Sequence, residues 1–211
     1  IALKPDYTEA SNNLSIVKSY MNDLEAEIVS LQNVMRINTD NYGLRAGVNL
    51  AICKFLVDDF DDSKKHLLSV AKIQEKTSTE FENEKIYQRY LLKILRWHEE
   101  NYVDPFTRKP DKTLYVIGES HSLVSHQMNV KNSDSIMLCK AKLIKGCKQW
   151  HLGNSNKNQY KNHFESIFSS LPKSSEVLLT VGEIDCRLNS GIIKYKNKFP
   201  EKEIEEIIAD T

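Results

Sequence analysis

The chain has 211 residues, 40% of them hydrophobic and 27% charged, an ordinary globular composition with room for one or two domains. Lysine plus arginine equals aspartate plus glutamate at 29 each, so no basic excess points to nucleic acid, and no apolar run approaches the ~20 residues of a membrane span. The four cysteines, Cys53, Cys139, Cys147 and Cys186, form no CxxC pair and no secretory leader is visible, so free thiols in a reducing, cytoplasmic setting are expected.

The chain starts IALKPDY, without methionine, and stops at EIEEIIADT inside a helical pattern, which reads as a fragment of a longer protein. From Pro5 a turn leads into a helix with Ala10, Leu14 and Val17 on one side. A polar break at Asn22-Asp23 precedes a second helix carrying Leu24, Ile28, Leu31 and Val34 at helical spacing. Residues 44–73 repeat the plan, with Val48, Leu50 and Ile52, a break at Asp58-Asp59, then Phe60, Ser63, Leu67 and Val70. Leu24 and Phe60 hold equivalent places, 36 residues apart. A longer helix follows from Ser78, with Thr79 and Glu82 spaced as a capping box. Phe81, Ile86, Tyr90, Leu91, Ile94, Leu95 and Trp97 give it a broad apolar face. The polar, proline-bearing stretch 102–112 is the linker between a helical segment, 1–101, and a second domain, 113–211.

Beyond the linker the period changes. TLYVIG is a short apolar run ending in glycine, the pattern of a buried strand, and SIMLCKAKLI is a second strand region. NQYKNHFESIFSSLP reads as a helix, SEVLLTVG as another buried strand, and PEKEIEEIIADT as the start of a further helix with Pro200 near its first turn. Strands alternating with helices predict a parallel sheet, whose sites form beyond the carboxyl ends of its strands. The two strand ends read GESH and GEIDCR, so both polar clusters are expected on one sheet edge.

Ser120, just past a strand, is read either as a nucleophile or as the N-cap of the next helix. His121 adjoins it, but neighbouring side chains usually diverge, so a base from a distant segment is expected. An extended GEIDCR would turn Glu183 and Asp185 to the same side. With His121 they are then read as a carboxylate–imidazole cluster for acid–base work or a metal; a local Asp185–Arg187 ion pair is the plain structural alternative. Trp150 and His151, in KQWHLGN, are read as core or as substrate contacts.

Two resemblances follow from these stretches. Residues 1–73 resemble the tetratricopeptide repeat, although Ser15 and Glu27 stand where small residues are usual; the resemblance implies a helical segment that binds a protein or peptide. Residues 112–211 resemble the SGNH (GDSL-like) hydrolases through VIGESHS and LLTVGEIDCR, which implies a flavodoxin-like α/β/α domain acting as an esterase, deacetylase or acyltransferase. In that likeness Ser120 is the nucleophile and Gly146 a second oxyanion donor. Glu119 replaces the usual aspartate, and Ile184 stands where an oxyanion asparagine is usual. The final Asp-x-x-His block has no match before Thr211. The alternative is an interaction scaffold carrying a degenerate, non-catalytic SGNH-like module. The assignment is therefore Ser120, Gly146 and Asp185 catalytic, with Glu119, His121, Glu183 and Arg187 binding an acylated small molecule or glycan. No cofactor, metal, nucleic acid or membrane is expected.

Overall fold

Asn22 and Asp58 hold positive φ, 56° and 68°, and each ends a helix one residue before an aspartate. The computed structural model showing this describes residues 7–37, 41–74, 82–189 and 191–209. Helices α1 (Thr8–Tyr20) and α2 (Leu24–Ile37) make one hairpin, α3 (Asn41–Leu56) and α4 (Phe60–Gln74) the next. The same turn closes both. Asp23 Oδ1 accepts from Ala26 N, and Asp59 Oδ1 from Asp62 N, each at 3.2 Å. The other oxygen of each carboxylate takes a lysine from the preceding helix, Lys18 at 3.2 Å and Lys54 at 3.1 Å. Each aspartate thus satisfies an orphan helix donor and sits at the positive end of the helix dipole.

Leu31, Val34, Ala46, Leu50 and Cys53 form the core between the hairpins. Fully buried Ser63 donates to the Ala51 carbonyl at 2.7 Å, tying α4 to α3. Helix α5 (Glu82–Asn101) buries Leu91, Ile94 and Leu95, while Ile86 and Trp97 stay exposed, so its core stripe is narrower than the sequence suggests. Its Gln88 side chain donates to the Leu67 carbonyl at 3.0 Å. His98 packs among the rings of Phe60, Trp97 and Tyr102. The expected caps at Ser78 and Thr79, and Phe81, lie outside the described residues.

The chain divides into two compact units between Asp104 and Pro105. The second holds a four-stranded mixed sheet of order β2-β3-β1-β4, built from β1 (Lys112–Gly118), β2 (Asn129–Asn132), β3 (Ser135–Leu143) and β4 (Glu176–Thr180). β1 runs parallel to both β3 and β4, and β2 pairs antiparallel with β3. Helices α6 (Gln149–Gly153) and α7 (Gln159–Ser170) connect β3 to β4; α8 (Ile192–Lys198) and α9 (Ile204–Ala209) follow. Ile117, Ile144, Cys147 and Ile167 form the core under α7, with Tyr160, Phe164 and Val177 packed against them. All four cysteines are free thiols.

Three expectations change. β4 is an edge strand paired only with β1 among the described residues, and Leu178 and Leu179 are about half exposed rather than buried. The last helix, α9, begins at Ile204, so Pro200 lies in the turn ahead of it. β2 makes a hairpin with β3 through Ser133, at φ 52°, that four polar-rich residues did not announce. No helix among the described residues is long and apolar enough to cross a membrane.

One buried group makes this unit sensitive to acid. His163 on α7 is 6% exposed, and burial pushes its pKa from 6.5 down to about 4. Between those values the unfolded chain holds more protons than the folded one. Stability is therefore full above pH 6.5 and falls as pH drops toward 4, by at most about 3 kcal/mol. Urea unfolding at pH 7 and pH 4.5 should show this loss in the wild type and a smaller one in His163→Gln. Equal pH slopes in the two proteins would remove His163 as the cause.

Candidate active site

The chain leaves β1 for β3 on one side and later returns to β4 on the other. The C-terminal ends of β1 and β4 therefore flank a point where the sheet order switches, the usual position of a crevice in such sheets. Gly118 is opposite Thr180 in the register, and Glu119 N donates to the Thr180 carbonyl at 3.2 Å. An added Cβ at Gly118 would lie 2.2 Å from that carbonyl oxygen, so only glycine lets the strands meet here. On the other flank, Ile144 N donates to the Gly118 carbonyl at 2.7 Å. The loops after β1, β3 and β4 are thereby held on one edge.

After Gly118 the chain turns into a short 3-10 helix, Ser120–Leu123, with Glu119 as its N-cap. Glu119, not Ser120, fills that role: its carboxylate accepts from His121 N at 3.3 Å. The tight turn brings the side chains of three consecutive residues together. The Ser120 hydroxyl donates to Glu119 Oε2 at 2.8 Å, and His121 Nδ1 meets Glu119 Oε1. Glu119 is 1% exposed, whereas His121 is exposed and Ser120 half-buried. The carboxylate thus lies between hydroxyl and imidazole. That order differs from a serine–imidazole–carboxylate relay, in which the imidazole is central.

GEIDCR does not stay extended. Ile184–Cys186 forms a 3-10 turn, so Glu183 and Asp185 part company. Gly182 precedes it at φ 109°, a conformation that favours glycine. Asp185 is buried and accepts from Gln149 N at 2.8 Å, which anchors the start of α6 to the loop after β4. Arg187 pairs with Glu183, not with Asp185, through contacts of 2.9 and 2.6 Å. The Arg187 hydrogen bond above all holds Glu183 below its ordinary pKa; burial opposes it, and the charges of Arg187 and His121 add to the lowering.

Glu119, His121 and Glu183 still converge, each offering one ligand atom, all within 4.8 Å of one another. Two carboxylates and an imidazole suit a divalent cation, but Arg187 already holds Glu183 and competes with any ion for it. Gly146 lies in the turn after β3, and among the described residues its N–H has no protein acceptor. Cys147 beside it is buried; burial, then the charges of Asp185 and Glu119, pushes its thiol up to about 11, so it stays protonated and unreactive. His126 is a packing residue whose Nδ1 accepts from Ala141 N at 3.0 Å.

Sequence reasoning missed Gln149 because it acts through its backbone N–H, which leaves no residue signature. It also missed Glu119 as the partner of Ser120, since the contact depends on a 3-10 turn that GESH does not spell. No family model, no curated protein and no solved structure matches this chain.

Proposed function

We propose that the second unit is an acyl-transfer domain, SGNH-like and flavodoxin-like in plan, in which Ser120 is the nucleophile. The observation that carries this reading is the Ser120 hydroxyl donating to the buried carboxylate of Glu119 at 2.8 Å, at the switch point of the sheet. Ser120 Oγ attacks the acyl carbonyl and its proton passes to Glu119 Oε2, giving an oxyanion for which the free Gly146 N–H is the proposed donor. Collapse of that intermediate expels the alcohol, which takes the proton back, and leaves an acyl-serine. Water or an acceptor hydroxyl then removes the acyl group, giving an esterase, deacetylase or acyltransferase. Glu183 and Arg187, exposed on the facing loop, line the approach to the corner. The helical hairpins, with one turn used twice, support a tetratricopeptide-like segment that binds a protein or peptide.

A second reading rests on Ile184. It cannot donate a hydrogen bond where SGNH-like enzymes are expected to carry an asparagine, and losing one such donor costs about 10²–10³ in rate. On that reading the unit is a non-catalytic binding module beside an interaction scaffold. Hydrolysis of p-nitrophenyl acetate by the full-length protein separates the two. Ser120→Ala is expected to lower turnover by about 10³-fold or more. Equal turnover by the two proteins would reject Ser120 as the nucleophile.

A further inference from the structure

We propose that a pocket at the α6–α7 junction binds a neutral sugar ring. The cavity measures about 330 Å³ and is lined chiefly by Trp150, His151, Asn154, Asn156, Gln159 and Tyr160. Three aromatic rings in contact contribute to its lining. His151 stacks on Tyr160 with centroids 3.8 Å apart and planes 11° apart, and Trp150 meets His151 edge-on at 5.2 Å. Tyr160 packs on the core, which explains its place, but Trp150 is 46% exposed and contributes little to that core. An indole left open beside a fixed ring stack is a flat apolar wall suited to the C–H face of a pyranose.

The rest of the lining is made of amides. The loop carrying them is braced before any ligand arrives. The Asn158 side chain accepts from Tyr160 N and Lys161 N at 3.1 and 3.0 Å, and donates to the His151 carbonyl at 2.8 Å. Asn156 N donates to Asn154 Oδ1 at 2.8 Å. The Asn156 and Gln159 side chains have no protein partner among the described residues, so each offers a donor and an acceptor to the cavity. Among the described residues no Lys, Arg, Asp or Glu lines it, although the Lys161 ammonium donates to the carbonyl of lining Asn154, and His151 is held below its usual pKa by burial first and by Lys148, against Asp185. The lining side chains are therefore uncharged at neutral pH. Paired amide groups and an aromatic wall, with the one neighbouring ammonium already held by the Asn154 carbonyl, fit hydroxyls and ring C–H groups better than a phosphate or carboxylate. Preorganisation keeps the ordering cost of binding small.

Trp150 follows Gln149, whose backbone N–H is bound to Asp185 and whose Oε1 lies 3.3 Å from where a Cβ on Gly182 would be. The pocket thus adjoins the loop carrying Glu183. Its use as the subsite for a sugar that gives or takes the acyl group rests on the reading of Ser120 as nucleophile; binding of the sugar does not.

Saturation-transfer NMR on the full-length protein tests this with N-acetylglucosamine, cellobiose and adenosine as probes. Transfer to sugar ring protons is expected in the wild type and in Ser120→Ala. Trp150→Ala and Asn156→Ala, both at exposed positions, should each weaken sugar binding about tenfold or more with unfolding midpoints unchanged. No transfer to either sugar, undiminished transfer in folded Trp150→Ala, or stronger transfer to adenosine than to both sugars would overturn the proposal. Sugar binding without ester hydrolysis would uphold the pocket and reject the nucleophile; hydrolysis without sugar binding would do the reverse.

Discussion

Glu119→Gln in the full-length protein is expected to slow fluorophosphonate labelling of Ser120 by about 10²–10⁴-fold, the usual contribution of a positioned general base. The carboxylate is 1% exposed and accepts the Ser120 hydroxyl at 2.8 Å. Glutamine keeps the size and can still accept that hydrogen bond, but it cannot take the proton. It also loses one of the two oxygens that engage His121 and Ser120 together. Labelling rates are read against the unfolding midpoint of each protein. Equal rates at equal stability would place the proton elsewhere and leave Glu119 a purely structural cap.

Gly118→Val is expected to be strongly destabilising for the α/β unit. Its Cβ would lie 2.2 Å from the Thr180 carbonyl oxygen and 2.7 Å from the carbonyl carbon. These are backbone atoms in a paired strand, so no rotamer change relieves the clash. Overpacking usually costs about 1–3 kcal/mol, and a clash with fixed backbone belongs at or above the top of that range. The β1–β4 pairing would open at the end that carries Glu119 and Ser120. Thermal unfolding of the unit should move down sharply and Ser120 labelling should fall with it. A variant with wild-type stability would show that β1 and β4 do not approach as described.

The helical half was legible because its signals are local. Apolar spacing of three to four marked each helix, and the Asn22-Asp23 and Asp58-Asp59 breaks are the residues that turn the chain and cap the next helix. The first strand was equally plain, since β1 lies between two partners and reads as an unbroken apolar run. β4 has the same kind of sequence yet lies at the edge, because strand order is a long-range property that no single run records. The signal for α8, Ile192 and Tyr195 with Phe199 just past its end, is short and is cut off by the proline that follows.

The candidate site divides the same way. That GESH and GEIDCR share one sheet edge followed from the parallel order of strands. How their side chains pair did not. The short 3-10 turns after β1 and β4 set those pairings: one folds Ser120 back on Glu119, the other sends Asp185 inward and Glu183 outward. Turns of this kind depend on a few backbone angles that surrounding packing fixes.

The most direct test is to treat the full-length protein with a fluorophosphonate, digest it and locate the adduct by mass spectrometry. The account predicts one adduct, on Ser120, absent from Ser120→Ala. No adduct at all, or an adduct on another residue with Ser120 unmodified, would contradict it.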